Sequence, residues 1–256
     1  MPDYVPVKEA RALSGLRLVL TPGGPGPWSE AAKGFFQVKG LSYVPVLQDP
    51  DNAALREWTG QTLAPVAAYD AEPPAVALSD ILWLAERLAP DPPLVPEPSA
   101  ERATHFGLLR EITGQQGFGW SRRLVMLGEN LKRQPDGPGR DWTLAFAEKF
   151  RFTEAAVAHA RRRVLEILGH LSDRLRDQAA RGSRYFVGDA LTGADIAWAA
   201  FAAMLAPLPH EICPMSRGLR RMYTATEPDV LAALDPILLE HRDAMYRDHL
   251  ATPLDF

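Results

Sequence analysis

The sequence predicts two parts in series, an α/β first half and an all-helical second half. Three observations carry that reading. Short apolar runs alternate with helical patterns as far as about residue 88, five prolines then crowd into the ten residues 89–98, and beyond them the pattern is helical almost throughout. At 256 residues the chain is long for one core and comfortable for two. The expected boundaries are 1–89 for the first domain, with 1–15 as an N-terminal extension, 90–99 for a stiff linker, and 100–256 for the helical domain.

Residues 16–20, Leu-Arg-Leu-Val-Leu, form the first strand candidate. The Thr21-Pro22-Gly23-Gly24-Pro25-Gly26-Pro27 segment closes it, because prolines remove backbone donors and glycines hold no regular conformation. From Trp28 the pattern turns helical. Ala31, Ala32, Phe35, Phe36 and Val38 give one apolar side, and Lys39-Gly40 supplies the cation and glycine that end helices. A second strand follows at 43–46, where Pro45 argues for a sheet edge. After it come a short helix from Ala53 to about Trp58, a strand at 65–69, an extended piece at 75–77 and a helix from Ser79 to about Leu88. The order is β-α-β-α-β-β-α. Past the linker, candidate helices cover about 100–131, 141–181, 193–205 and 227–246, with a proline- and glycine-bearing loop at 134–139 between the first two.

Composition narrows the function classes. The chain is 46% hydrophobic and 23% charged with a net charge of −4, and its densest basic run, Arg161 to Arg163, is offset by Glu154, Glu166 and Asp173. No basic stripe remains to track phosphates, so nucleic acid is not an expected partner. The single cysteine, Cys213, excludes an intramolecular disulfide and any all-thiolate metal site, and suits a reducing compartment. The first residues lack a basic start and an apolar run, and no stretch approaches the ~20 apolar residues that span a bilayer. A cytoplasmic protein with no membrane partner is the expectation. The histidines show neither H-x-H nor H-E-x-x-H spacing, so no metal is expected. The loop at Gly23 to Gly26 lacks the Lys-Ser/Thr ending of a phosphate loop, and a Cys-x-x-Cys redox pair is absent.

Three features converge on one architecture. The first is the strand, proline-glycine loop and helix around residues 16–39. The second is Leu63-Ala64-Pro65-Val66, in which a proline opens a strand. The third, and most specific, is Phe186-Val187-Gly188-Asp189-Ala190-Leu191-Thr192-Gly193-Ala194-Asp195-Ile196-Ala197. Thr192 and Asp195 have capping-box spacing, Leu191 and Ile196 that of a hydrophobic staple, and the helix they start is apolar nearly all round, as a buried helix must be. This constellation closely resembles the central buried helix of cytosolic-type glutathione transferases, of a bacterial and atypical class, over about residues 16–250. The resemblance implies a thioredoxin-like N-terminal domain plus an all-α C-terminal domain, a homodimer, glutathione as the thiol cofactor on the first domain, and a small hydrophobic electrophile between the domains.

It also implies a site. Such an enzyme holds the sulfur of glutathione as thiolate, since the thiol is a poor nucleophile, and a helix N-terminus aimed at it supplies part of that stabilisation. The position that usually carries Ser or Cys falls on Gly26, with Pro27 and Trp28 as its Pro-aromatic partners. Gly26 offers no hydroxyl or thiol. The usual Tyr position falls near Pro22. Ser29 and Thr21 are therefore the local catalytic candidates, although Ser29 alternatively caps the helix and Thr21 alternatively just ends the strand. Activation by backbone N–H groups alone stays open. Pro65 resembles the family's cis-proline, which makes Ala64 a backbone ligand, the alternative being an ordinary trans-proline on an edge strand. Ser79 and Asp80 stand where the γ-glutamyl end is held, with Leu78 in place of the usual acidic residue. Phe118, Trp120 and Arg123, in a glycine-rich stretch unusual for a helix, are the candidates for the acceptor pocket or else for interdomain packing. The expected activity is conjugation of glutathione to the electrophile, or peroxide reduction or ether cleavage by the same thiolate. A non-catalytic binding or scaffold protein is the rival.

Overall fold

The computed structural model describes residues 2–48 and 53–256. Its first half is a four-stranded sheet in the order β1-β3-β2-β4, built from β1 (Val5–Pro6), β2 (Leu16–Leu20), β3 (Val44–Leu47) and β4 (Val66–Tyr69). β3 runs parallel to both β1 and β2, and β4 runs antiparallel to β2. Helices α1 (Val7–Ala10), α2 (Pro27–Val38), α3 (Ala53–Thr59) and α4 (Leu78–Leu88) connect the strands and close the half.

Three expectations change here. Residues 1–15 are more than an extension, because β1 pairs Val5 with Val46 and Pro6 with Leu47 and thereby takes the edge from β3. Pro45 is tolerated inside the sheet because β1 is too short to pair opposite it. The extended piece at 75–77 shrinks to a single antiparallel bridge between Ala67 and Ala75. Pro73 and Pro74 cannot donate to a ladder, and α4 begins at Leu78, which leaves no room for a strand.

The second half is helical: α5 (Ser99–Thr113), α6 (Phe118–Arg133), α7 (Pro138–Glu148), α8 (Glu154–Ala180), α9 (Gly193–Phe201), α10 (Arg217–Tyr223), α11 (Pro228–Ala233) and α12 (Pro236–Asp248). Three of the long segments expected from periodicity are each divided in two. Glycines at 114 and 117 part α5 from α6: a Cβ on Gly117 would meet the Glu111 carbonyl oxygen at 2.6 Å, so only glycine fits that turn. Arg151 at φ 53° sits in the break between α7 and α8, and Pro236 restarts the chain as α12 after α11.

α9 is the centre of the domain, with every residue buried. Its start is held by Asp195, itself wholly buried. Asp195 Oδ2 accepts from the Thr192 N–H at 2.9 Å and from the Thr192 hydroxyl at 2.7 Å. Its Oδ1 accepts from the Phe186 N–H at 2.8 Å and lies 2.8 Å from His241 Nε2 of α12. The capping box is therefore also a crosslink between three segments of the helical half. One apolar core then runs without interruption from the sheet through α2 and α4 into α9 and α12. The two halves meet closely enough that a Cβ on Gly34 of α2 would lie 2.6 Å from Ile196 of α9. The proline-rich segment is pinned rather than free. Lys39 pairs with Glu86 at 2.6 Å and donates to the Pro90 carbonyl, while Gly193 N–H donates to the Leu94 carbonyl at 2.9 Å.

Arg122 of α6 is 1% exposed and pairs with Glu227 at 2.7 Å while donating to the Met204 carbonyl. Burial pushes the Arg122 guanidinium down, and Glu227 opposes that shift. Removing one partner leaves an uncompensated buried charge. Arg122→Met is expected to lower the free energy of unfolding by ~3–5 kcal/mol in urea titrations, and adding Glu227→Leu should restore most of the loss.

Candidate functional site

The opening turn of α2 faces α6 and α10 of the helical half. Gly26 is its N-cap, no side chain caps it, and Pro27 at the first helical position has no N–H. The N–H groups of Trp28 and Ser29 make no backbone hydrogen bond among the described residues. They therefore remain as donors at the positive end of the helix dipole. Trp28 is anchored by its indole N–H, which donates to the Thr113 carbonyl at 2.8 Å, and by an edge-to-face contact with Phe201 of α9 at 4.8 Å. A Cβ on Gly119 would lie 2.2 Å from the Phe201 ring and 3.0 Å from Trp28. The glycine-rich start of α6 therefore serves close helix packing around Trp28.

Ser29 is 5% exposed and lies in the first turn rather than at the cap. Its Oγ is 3.7 Å from the place a Gly26 Cβ would take, so the serine hydroxyl borders the space the missing side chain leaves. Thr21 is exposed, and its hydroxyl donates to Gln48 at 2.6 Å, which commits its proton elsewhere. The Ala64–Pro65 peptide is cis at the entry to β4, and Ala64 carries no backbone hydrogen bond among the described residues. Ser79 and Asp80 occupy the first turn of α4, which also has no side-chain cap. Leu78 before them is buried in the main core and cannot substitute for an acid.

Of the three acceptor-pocket candidates, the structure brings only Arg123 to the α2 loop. Phe118 is fully buried against Trp198 at 5.1 Å, because the apolar ring belongs to the common core. Trp120 packs on Phe150 at 5.0 Å in a separate cluster with Leu124, Val125 and Ala160. Arg123 reaches Tyr223 of α10, donating to its hydroxyl at 3.1 Å, and Tyr223 in turn lies 3.5 Å from the Pro25 carbonyl. Leu219, also on α10, closes over Gly24, where a Cβ would meet it at 2.7 Å. Neither α10 residue was expected from sequence. The signal available was Ser216, whose hydroxyl accepts from the Leu219 N–H at 3.2 Å as an N-cap.

With this geometry in place, the comparisons are specific. Residues 154–244 match the family model described as "Glutathione S-transferase, C-terminal domain". Over that stretch the chain is similar to the C-terminal domain of glutathione S-transferases. No curated protein matches the sequence. Among solved structures, it resembles a glutathione S-transferase from Methylobacillus flagellatus KT with glutathione bound (15% identity, TM-score 0.63, covering 92% of this chain and 97% of that one). It is also similar to a glutathione S-transferase from Methylobacterium radiotolerans JCM 2831 in complex with glutathione sulfonate (20% identity, TM-score 0.54, 89% and 94% covered). A third likeness is to the β-etherase LigF from Sphingobium sp. strain SYK-6 (18% identity, TM-score 0.56, 88% and 98% covered). These likenesses show the fold, a thioredoxin-like first half followed by the helical half.

Burial shifts two further titratable groups of this glutathione S-transferase fold, Cys213 in the core and Glu30 beside Ser29. Burial pushes the Cys213 thiol up to about 11, which leaves it a poor nucleophile at neutral pH. Burial likewise raises Glu30, next to Ser29 on α2, from its ordinary 4.5 to about 6, with Lys33 opposing the rise at 3.1 Å and Asp255 adding to it. Lys33 also bonds Asp255 at 2.8 Å, which ties the C-terminal segment to α2. Among the described residues no group of His, Cys, Asp and Glu is arranged to hold a metal ion, and no helix is long and apolar enough to cross a membrane.

Because the folded Glu30 binds its proton more tightly than the unfolded one, its contribution to stability is fullest below pH 4.5 and is lost as pH rises through about 6. The expected decline is ~2 kcal/mol across that window. Glu30→Gln should remove the decline when unfolding is followed by denaturant titration at pH 4.5, 5.5 and 6.5.

Proposed function

We propose that this protein binds glutathione across its first half and uses the sulfur, held as thiolate, against a small hydrophobic electrophile. The observation that carries the reading is the uncapped start of α2, where Trp28 and Ser29 N–H groups and the Ser29 hydroxyl border one space left open by Gly26. Such a helix start favours an anion. Free thiols titrate near ~8.5, so thiolate at neutral pH needs ~2–3 kcal/mol of differential stabilisation, within reach of a few charge-assisted hydrogen bonds and a dipole. The solved structures with glutathione and glutathione sulfonate support glutathione as the ligand.

In this reading the Ala64 backbone, beside cis-Pro65, binds the cysteinyl portion, and the first turn of α4 at Ser79 and Asp80 receives the γ-glutamyl end. The residues present fit the tripeptide, because the Ala64 backbone and the Ser79 N–H make no backbone hydrogen bond among the described residues and no side chain caps α4, while the Asp80 N–H already donates to the Ala77 carbonyl at 3.0 Å. The chain's part in the reaction is to favour loss of the thiol proton to solvent and to hold the sulfur in line. The sulfur electron pair then forms the new bond to carbon while the leaving group departs with its own pair. Ether cleavage and peroxide reduction use the same thiolate. LigF, similar in fold, is a β-etherase, which keeps ether cleavage within the proposal.

A homodimer and a cytoplasmic location complete the proposal. Trp83 is 46% exposed and stacks on Phe106 at 5.6 Å, beside a depression lined also by Tyr69, Pro74 and Arg87, and this surface is where we place the second copy. One observation favours the rival reading of a binding or scaffold protein: Gly26 has no side chain to activate sulfur, and Leu219 packs on the loop beside it.

Binding to immobilised glutathione and thiol-dependent conversion of a model aryl halide separate the readings. The transferase reading expects both; retention without turnover favours the binding protein, and failure of both removes glutathione from the account. Ser29→Ala is expected to lower the rate at least ~10-fold, as loss of one donor to a developing anion does. Unchanged kinetics would take Ser29 out of the mechanism.

A further inference from the structure

We propose that Tyr223, on α10 of the helical half, supplies the hydroxyl that stabilises the glutathione sulfur in place of the side chain missing at Gly26, and that Arg123 positions and polarises it. This rests on the reading of the site as a glutathione site. Tyr223 is buried, 3% exposed, yet its hydroxyl proton has no good acceptor. The only acceptor it faces among the described residues is the Pro25 carbonyl at 3.5 Å, well beyond the 2.5–3.0 Å usual for an O–H donor. A buried hydroxyl left so loosely paired is costly unless another acceptor arrives. Pro25 directly precedes Gly26, so this proton points at the start of α2, where the sulfur would lie.

The arrangement is built rather than incidental. Arg123 donates to the Tyr223 oxygen at 3.1 Å and stands over its ring at 5.2 Å, which orients the hydroxyl and draws electron density from it. The Nε of Arg123 is buried without a hydrogen-bond partner, so the guanidinium is held here at some expense. α10 is fixed in turn by Arg220, whose guanidinium donates to the Leu208 and Cys213 carbonyls at 2.8 and 2.7 Å. Tyr223 would keep its proton and share it with the thiolate; the thiol proton goes to solvent. The donor thus comes from the helical half, and closing α10 on the loop completes the site instead of blocking it.

The test is Tyr223→Phe, which retains the ring beneath the Arg123 guanidinium and removes the hydroxyl together with its bond from Arg123. The pH midpoint of the ultraviolet thiolate absorbance of bound glutathione is read for both proteins, with affinity for S-methylglutathione, which has no ionisable thiol, measured alongside. Glu30, which titrates at about 6, is present in both proteins, so the difference isolates the hydroxyl. The expected result is a midpoint raised by about one pH unit, an aryl halide rate at pH 6.5 lowered about tenfold, and S-methylglutathione affinity changed less than about twofold. Arg123→Lys should move the midpoint in the same direction. An unchanged midpoint in Tyr223→Phe, with S-methylglutathione still bound, overturns the role of Tyr223 and leaves the glutathione site standing. If the native protein binds neither glutathione nor its S-methyl derivative, both the site and the role of Tyr223 fall.

Discussion

The buried carboxylate of Asp195 fixes where α9 begins, and α9 fixes where α2 points. A carboxylate without water is tolerable only when donors surround it, and here the Thr192 amide and hydroxyl, the Phe186 amide and His241 do so. The segment before α9, the first residue of the cap and α12 are thereby held to one point. From that point the apolar side of α9 reaches across to the first half. Ile196 sets the approach at Gly34, and Phe201 meets the edge of Trp28 in the first turn of α2. The direction in which the Trp28 and Ser29 amides face is thus a consequence of a hydrogen-bonded carboxylate in the other half of the chain.

This coupling explains why the candidate site needs so few dedicated side chains. The sheet half contributes backbone groups: uncapped amides at α2, the residue before cis-Pro65, and the first turn of α4. What the sheet half lacks is a side-chain donor beside the Gly26 position, apart from Ser29. The helical half reaches that same corner with Arg123, Leu219 and Tyr223. A site divided in this way depends on the packing between halves, and the continuous core through α2, α4, α9 and α12 supplies it.

Local chemistry made much of this legible in the sequence. The capping box at Thr192 and Asp195, the strand and loop before Trp28, and the proline opening β4 each state their own conformation through nearby residues. Where tertiary context decides, the sequence was silent or misleading. Pro45 argues for an edge strand on local grounds, but two residues of β1 lie beyond it and end before they would need its N–H. The helical runs at 100–131, 141–181 and 227–246 keep their period across breaks that only packing or a single backbone angle imposes. Phe118 and Trp120 sit near the right place in sequence, but successive positions on one helix face different neighbours, the core for one and Phe150 for the other. α10 is seven residues long and carries no lasting period, so its contact with the α2 loop was not foreseeable from pattern alone.

The central claim is that the start of α2 receives a negatively charged sulfur. A crystal structure of the protein grown with glutathione tests it most directly. The account predicts the sulfur within ~3.5 Å of the Trp28 or Ser29 amide nitrogen, on the side left open by Gly26. A tripeptide bound with its sulfur facing away from that turn would contradict it.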